Sequence, residues 1–279
     1  MTAGAWTHLP LRGPPSEPDV TFGPVRVWRP PAGSSEPVII EPIGADPIPE
    51  DPRLSVRWRE LCAANPRLHD GPIWGVRAFE PAAGVIHVAA DDYSRYAVRP
   101  RVGAGTWMLA VRGVITARDA SGQEHVLLGL RSPSVRNYGD MWEVIPGGGV
   151  PRPDHHGSAP AISDLIDHLR QEAREEAGLE IHPPSCRIAG VCDDSYAGGF
   201  DVLIDVRIAD PLAQVIARMG ERDWEHRRVE WKPVREIPTL DAREGSIVSP
   251  PTRAIFRYLG WVDRGPVAGP GDDPGISVG

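Results

Sequence analysis

The chain has 279 residues, of which 41% are hydrophobic, and a formal net charge of −8 from 38 acidic and 30 basic residues. This composition suffices for one large or two modest domains, and the acidic balance excludes non-specific binding to nucleic acids or anionic membranes. The three cysteines, Cys62, Cys186 and Cys192, are an odd number without metal-ligand spacing, and no N-terminal basic-plus-apolar signal precedes them, so we expect a reduced, cytoplasmic setting. No apolar run approaches the roughly 20 residues that cross a bilayer.

The first 50 residues hold eleven of the 31 prolines, with the short apolar segments "VRVW" and "PVIIEPI" between them. Proline lacks a backbone N–H and fixes φ, so this composition favours extended or edge-strand segments over helix. We predict that residues 1–50 form an arm that lies on the rest of the protein.

Residues 51–100 are predicted to form a helix and then a β-hairpin. The helix follows an aspartate N-cap, has Pro52 at its first position and ends at Asn65, before a second proline. The segments "IWGVRAF" and "GVIHVAA" then read as paired strands joined by "EPAAG". We expect this unit to pack on a catalytic domain of residues 101–263.

The predicted catalytic domain combines a sheet with two helices. A second hairpin, "TWMLAVRGVITA" and "EHVLLGLRS", precedes "WEVIPGGG" and a polar loop. A helix over residues 161–177 ends at Gly178, which tolerates a positive φ. Further strands and a short helix complete the domain, and residues 264–279 are expected to form a flexible tail. Strands interleaved with few helices indicate an α/β sheet that carries helices on its faces.

The end of the long helix, "QEAREEAGL", crowds three acidic residues into five positions. At about 100° per residue, Glu172 and Glu176 flank the apolar stripe and Glu175 lies further round. Partly desolvated acids at close range raise one another's pKa unless a cation compensates. A hard divalent cation, Mg²⁺ or Mn²⁺, resolves that conflict, and we expect the three carboxylates to bind it. The alternative is a solvated helix face on which Arg170 and Arg174 pair with the acids.

The glycine turn and the acidic helix together resemble the Nudix signature G-x5-E-x7-R-E-U-x-E-E-x-G-U, in which U is aliphatic. The three glutamates, Gly178 and Leu179 match the end of this pattern. Upstream the match departs, because Gln171 stands for the arginine, Ser163 for the first glutamate, and the loop after the glycines is lengthened. Losing both members of that charged pair together leaves no unpaired charge.

The order of segments around the box also resembles the UDP-glucose pyrophosphatase-like branch of the Nudix family. The resemblance implies a Nudix-like α-β-α sandwich with a mixed β-sheet, and metal-dependent hydrolysis of a nucleoside diphosphate sugar to UMP and a sugar 1-phosphate. Other nucleoside diphosphate derivatives (ADP-ribose, dinucleotides or coenzyme A) stay open as substrates. A non-hydrolytic sensor that binds a nucleotide sugar is an open alternative to the enzyme. The oligomeric state, monomer or homodimer, is also open.

Pyrophosphate cleavage needs an activated water and groups that bind the phosphates. Glu175 and Glu225 are the predicted catalytic residues, since the family uses a glutamate of the box or of a later loop as general base. An arginine fork and side-chain-free glycine backbone suit a diphosphate, aromatic rings suit a base or sugar, and a carboxylate suits sugar hydroxyls. The predicted substrate-binding residues are Arg131, Trp142, Gly148, Gly149, Asp194 and Tyr196. The alternatives are a surface arginine, a core tryptophan and a strand-end turn at Asp194.

Overall fold

The computed structural model describes residues 9–13, 17–32, 38–43, 52–102, 105–153, 158–242 and 247–263. The described strands all join one mixed sheet. They are β1 (Val20–Phe22), β2 (Val25–Trp28), β3 (Ile39–Pro42), β4 (Pro72–Glu80), β5 (Val85–Asp92), β6 (Trp107–Arg118), β7 (Glu124–Arg131), β8 (Trp142–Val144), β9 (Gly147–Gly149), β10 (Cys186–Asp194), β11 (Gly199–Arg207) and β12 (His226–Pro233). The helices are α1 (Pro52–Ala64), α2 (Tyr93–Ala97), α3 (Arg99–Val102), α4 (Ile162–Ala177), α5 (Leu212–Arg218), α6 (Ile237–Asp241) and α7 (Pro250–Tyr258).

Strand β6 organises the sheet because four strands pair with it. It runs parallel to β11 and antiparallel to β4, β7 and β9. Strand β7 also pairs antiparallel with β8 and with β12. The glycine strand β9 lies against the middle of β6, with Gly148 opposite Val111. The glycine-rich segment is therefore held in the sheet, where it faces α4.

Helices cover both faces of the sheet. Leu169 of α4 belongs to a core cluster that includes Val111 of β6, whereas Phe256 of α7 belongs to a second cluster that includes Val114. Side chains separated by an odd number of positions point to opposite faces of a strand, so β6 contributes to both cores. The predicted mixed α/β architecture, with helices on both faces, is confirmed.

Most predicted elements are present. The hairpin of β4 and β5 follows α1 as expected, and the long predicted helix is α4. Within the arm, β2 pairs with β10 inside the sheet. The division into an arm, an N-terminal unit and a catalytic domain stays a prediction, and the predicted tail lies outside the described residues. None of the described helices is long and apolar enough to cross a membrane.

Gly178 ends α4 in a left-handed conformation that another loop holds in place. Its φ is +59°, and an added Cβ would lie 2.5 Å from the carbonyl oxygen of Gly220. The Gly220 N–H donates to the Gly178 carbonyl at 2.8 Å. We expect Gly178→Ala to lower the free energy of unfolding by about 2 kcal/mol or more, because a left-handed non-glycine residue costs about 1–2 kcal/mol and the close contact adds to it.

Denaturant unfolding measures this loss, and Gly122→Ala provides the matched control. Gly122 also has a positive φ, +81°, but an added Cβ would meet nothing within 4 Å. The control should therefore show only the backbone cost, about 1–2 kcal/mol. Equal losses in the two variants would mean that the contact with Gly220 contributes nothing.

Candidate functional site

The acidic end of α4 lies against the glycine strand β9. The Gly147 N–H donates to Glu176 Oε1 at 3.3 Å. An added Cβ on Gly148 would lie 2.3 Å from Glu172 Oε1. Because no real side chain tolerates that distance, glycine at position 148 is what allows the Glu172 carboxylate to lie so close to the sheet.

The three glutamates of α4 differ in burial, and Glu175 is the most exposed of them, as the helical periodicity predicts. Glu176 is 2% exposed, Glu172 is half-buried and Glu175 is exposed. The side-chain amide of Gln171 donates to Glu175 Oε1 at 2.9 Å. The residue that departs from the Nudix pattern thus contacts one of the predicted metal ligands.

Burial raises the pKa of both inner glutamates. It acts on Glu172 together with the charges of Glu175, Glu225 and Asp223, and raises its pKa to about 8. The pKa of Glu176 lies well above its ordinary value, through burial and then the charges of Glu172 and other acids. Among the described residues, no arginine or lysine forms an ion pair with either carboxylate. Glu172 Oε1 lies 3.2 Å from His168 Nε2, but burial lowers the pKa of His168. When the two carboxylates ionise, their charge is therefore not compensated by a described arginine or lysine.

Glu225 joins these acids from the loop before β12. Its carbonyl accepts from the Ser132 N–H at 2.7 Å, and the Asp223 N–H donates to the Glu175 carbonyl of α4 at 2.8 Å. Burial raises the pKa of Glu225, the charge of Arg131 opposes the rise, and that of Asp223 adds to it. The structure thus brings Glu225 together with the glutamates of α4.

Glu143 of β8 is a buried acid that the sequence reasoning missed. It is 4% exposed and forms ion pairs with Arg131 and, at 3.2 Å, with Arg112. Its Oε1 also lies 2.9 Å from His226 Nε2. Burial raises the pKa of Glu143, but Arg131, His226 and Arg112 together hold it below its ordinary value. This carboxylate is compensated, in contrast to Glu176.

His226 lies between Glu143, whose charge is compensated, and Glu176, whose charge is not. Its Nδ1 is 3.7 Å from Glu176 Oε2, and neither of these two buried atoms has a hydrogen-bond partner. The sequence does not indicate that Glu143, in a three-residue strand, and His226, within "DWEHRRVEW", are neighbours in space. Only the pairing of β12 with β7 and of β7 with β8 brings them together.

Of the predicted substrate-binding residues, three lie close to the acids. Arg131 contacts Glu143, and its buried Nε has no hydrogen-bond partner. Gly148 lies against Glu172, and Gly149 pairs with Ala110 of β6. Direct contact of these three residues with a substrate stays a prediction.

The other three predicted contacts lie elsewhere. Trp142 is 5% exposed and belongs to the core cluster that also contains Phe256 of α7. Because Trp142 and Glu143 are neighbours on a strand, their side chains point to opposite faces of the sheet. Asp194 is 2% exposed and accepts from the Tyr138 hydroxyl at 2.7 Å and from the Tyr196 N–H at 3.0 Å. Burial raises its pKa to about 6. The Tyr196 ring packs on Tyr138. The structure does not bring these residues to the acidic cluster, and their roles in substrate binding stay predictions.

The carboxylates are close to one another without forming a finished coordination sphere. Within the described ranges, no group of three or more His, Cys, Asp or Glu side chains already stands in an arrangement that could hold a metal ion. The exposed Glu175 points its Oε1 at Gln171. Side-chain rotation is therefore required before the three glutamates of α4 share one ligand.

Gly148→Ala tests whether the approach of Glu172 to β9 matters for metal binding. We expect about 10-fold weaker Mn²⁺ binding, as for changes in the residues that orient metal ligands. The free energy of unfolding should change by less than about 1 kcal/mol, because the added methyl group meets the movable end of a side chain. Calorimetric titration with Mn²⁺ measures the affinity. Gly71→Ala, whose Cβ would meet nothing within 4 Å, should bind like the wild type, and an unaltered affinity in Gly148→Ala would contradict the expectation.

No protein-family model and no curated protein matches the chain. Among solved structures, it is similar to a Nudix hydrolase from M. Smegmatis, with 17% identity and a TM-score of 0.38 over 57% of this chain and 89% of the other. It is also similar to the NUDIX domain of Shewanella oneidensis NrtR, complexed with ADP ribose, with 13% identity and a TM-score of 0.38 over 55% of this chain and 86% of the other. A NUDIX hydrolase from Alicyclobacillus acidocaldarius matches with 15% identity and a TM-score of 0.38, over 59% of this chain and 92% of the other. At such low identities and scores these similarities carry no argument about activity, which has to rest on the side chains.

Proposed function

We propose that the protein is a divalent-metal-dependent hydrolase of the Nudix type that cleaves the pyrophosphate bond of a nucleoside diphosphate derivative. The observation that carries the proposal is the Glu176 carboxylate, which is 2% exposed and has one oxygen without a hydrogen-bond partner. Burying a charged group without a partner costs several kcal/mol in general. A cation that binds Glu176 together with its acidic neighbours removes that cost.

The chemistry of the donors fits Mg²⁺ or Mn²⁺. Carboxylate oxygens are the ligands that these hard ions prefer, and Glu172, Glu175 and Glu176 would hold the ion, with Glu225 as a fourth carboxylate. A bound ion supplies neutralising charge for the phosphoryl oxygens and lowers the pKa of a coordinated water.

The chain's own residues have three tasks in this proposal. Glu175 or Glu225 accepts the proton of the attacking water, since a general base has to lie within hydrogen-bond reach of it. Arg131 holds Glu143 and, through its charge, favours the ionised form of Glu225. The absence of a side chain at Gly148 lets the Glu172 carboxylate lie against β9, and backbone of Gly148 and Gly149 contacts the phosphate.

Within the nucleoside diphosphate derivatives, we propose a UDP-hexose such as UDP-glucose as substrate, on the resemblance described above. A screen in Mg²⁺ of UDP-glucose, ADP-ribose, a dinucleotide and coenzyme A, scored by phosphate release after phosphatase addition, tests this. The expected result is conversion of UDP-glucose to UMP and glucose 1-phosphate. Faster turnover of another derivative would change the substrate. Calorimetric binding of UDP-glucose without any product would overturn hydrolysis in favour of a sensor.

A further inference from the structure

Trp224 is an exposed tryptophan directly next to Glu225. It is 43% exposed and is the one aromatic residue among the exposed large hydrophobic residues of the described ranges. The guanidinium carbon of Arg67 lies 4.7 Å from the centre of its ring. The two residues come from distant parts of the sequence, so tertiary structure has brought a cation onto an indole that still has open surface.

The loop around Trp224 is fastened to the acidic site on both sides. On one side, the Asp223 N–H donates to the Glu175 carbonyl at 2.8 Å, and on the other, the Glu225 carbonyl accepts from Ser132 at 2.7 Å. The Asp223 carboxylate also accepts from the Glu225 N–H at 2.9 Å. With both neighbours fixed, Trp224 is held at the edge of the acidic cluster.

Arg67 is positioned by the turn that ends α1 and carries no ion pair among the described residues. Its N–H donates to Asn65 Oδ1 at 3.1 Å, which fixes the backbone of the turn. A guanidinium that stacks on an indole without a carboxylate partner retains its charge and its hydrogen-bond donors for a further ligand.

We propose that Trp224 and Arg67 form the platform on which the base of the nucleotide substrate stacks. The inference rests on the proposed function and adds the residues that bind the nucleoside. The base is the planar aromatic part of such a substrate, and stacking on an aromatic side chain is worth about 1–3 kcal/mol whichever base it is. Stacking reads planarity rather than hydrogen-bonding pattern, so the platform accepts uracil and adenine alike. It also takes over the stacking role that the sequence assigned to Trp142 and Tyr196.

Calorimetric titration in Mg²⁺ with UMP, AMP and ribose 5-phosphate tests the platform, because the last probe lacks a base. We expect Trp224→Ala to bind UMP and AMP about 10-fold more weakly and ribose 5-phosphate as the wild type does. Trp224→Phe keeps an aromatic face and should stay within about 3-fold of the wild type. Arg67→Ala should weaken UMP binding about 3-fold through loss of the cation.

Two controls match these variants. Ile216→Ala removes an exposed apolar side chain, 50% accessible, from α5, and Arg59→Ala removes an exposed arginine from α1. Both should bind all three probes as the wild type does. The platform is overturned if Trp224→Ala binds UMP like the wild type, if it loses ribose 5-phosphate equally, or if the wild type binds UMP no better than ribose 5-phosphate. A protein without turnover that still shows Trp224-dependent UMP binding would overturn only the hydrolysis.

Discussion

Replacing Glu176 by glutamine is expected to lower kcat by at least about 100-fold, because loss of a metal ligand weakens both metal binding and charge neutralisation. The fold should survive. Glutamine preserves the volume of the side chain, and its carbonyl oxygen can still accept from the Gly147 N–H, so the free energy of unfolding should change by less than about 1 kcal/mol. Turnover in Mg²⁺ and denaturant unfolding without added metal measure the two quantities.

Glu180→Gln is the control for that variant. Glu180 follows α4, is exposed and forms a surface ion pair with Arg174 at 3.4 Å. Its amide variant should keep kcat within about 2-fold of the wild type, because exposed ion pairs contribute little. Wild-type kcat in Glu176→Gln would exclude this carboxylate from the reaction. A large loss of stability would instead assign it a structural role.

The second large effect concerns stability rather than chemistry. Glu143→Ala is expected to lower the free energy of unfolding by about 3–5 kcal/mol, because it strands buried charges that this carboxylate compensates. Arg131 would lose its ion pair and His226 its partner at Nε2. Arg112 would lose one of its two carboxylate partners and keep Asp201 at 3.2 Å and the Val144 carbonyl at 3.4 Å. Guanidinium unfolding at constant pH measures the loss.

A surface pair of the same chemical type provides the comparison. Glu180→Ala breaks the exposed contact with Arg174 and should cost no more than about 1 kcal/mol. If Glu143→Ala costs equally little, the buried network is not coupled to folding. In that case the ion pairs that lower the pKa of Glu143 would not contribute to the free energy of unfolding.

The part of the site that lies on one helix could be predicted from the sequence. Helical periodicity predicted that Glu172 and Glu176 are more buried than Glu175, and the glycine after the acids marked the left-handed end of α4. Both signals are local, since they depend on residues within four positions of one another.

The other residues of the site come together through contacts between strands that are distant in the sequence. Glu143 and His226 are 83 positions apart, and no local pattern connects them. Periodicity also could not tell which face of β8 carries Trp142, nor that Asp194 uses its carboxylate within its own turn. Trp224 lies beside Glu225, whose catalytic role stays a prediction, but the exposure of Trp224 and its contact with Arg67 follow only from the tertiary structure.

The most direct test of the metal site is Mn²⁺ binding measured by electron paramagnetic resonance on the wild type and on Glu176→Gln. Protein-bound Mn²⁺ loses the sharp spectrum of the free ion, so the bound fraction can be titrated without any substrate. We expect the wild type to bind Mn²⁺ and Glu176→Gln to bind it at least about 10-fold more weakly. Equal binding by the two proteins, or no binding by the wild type, would contradict a metal site on α4.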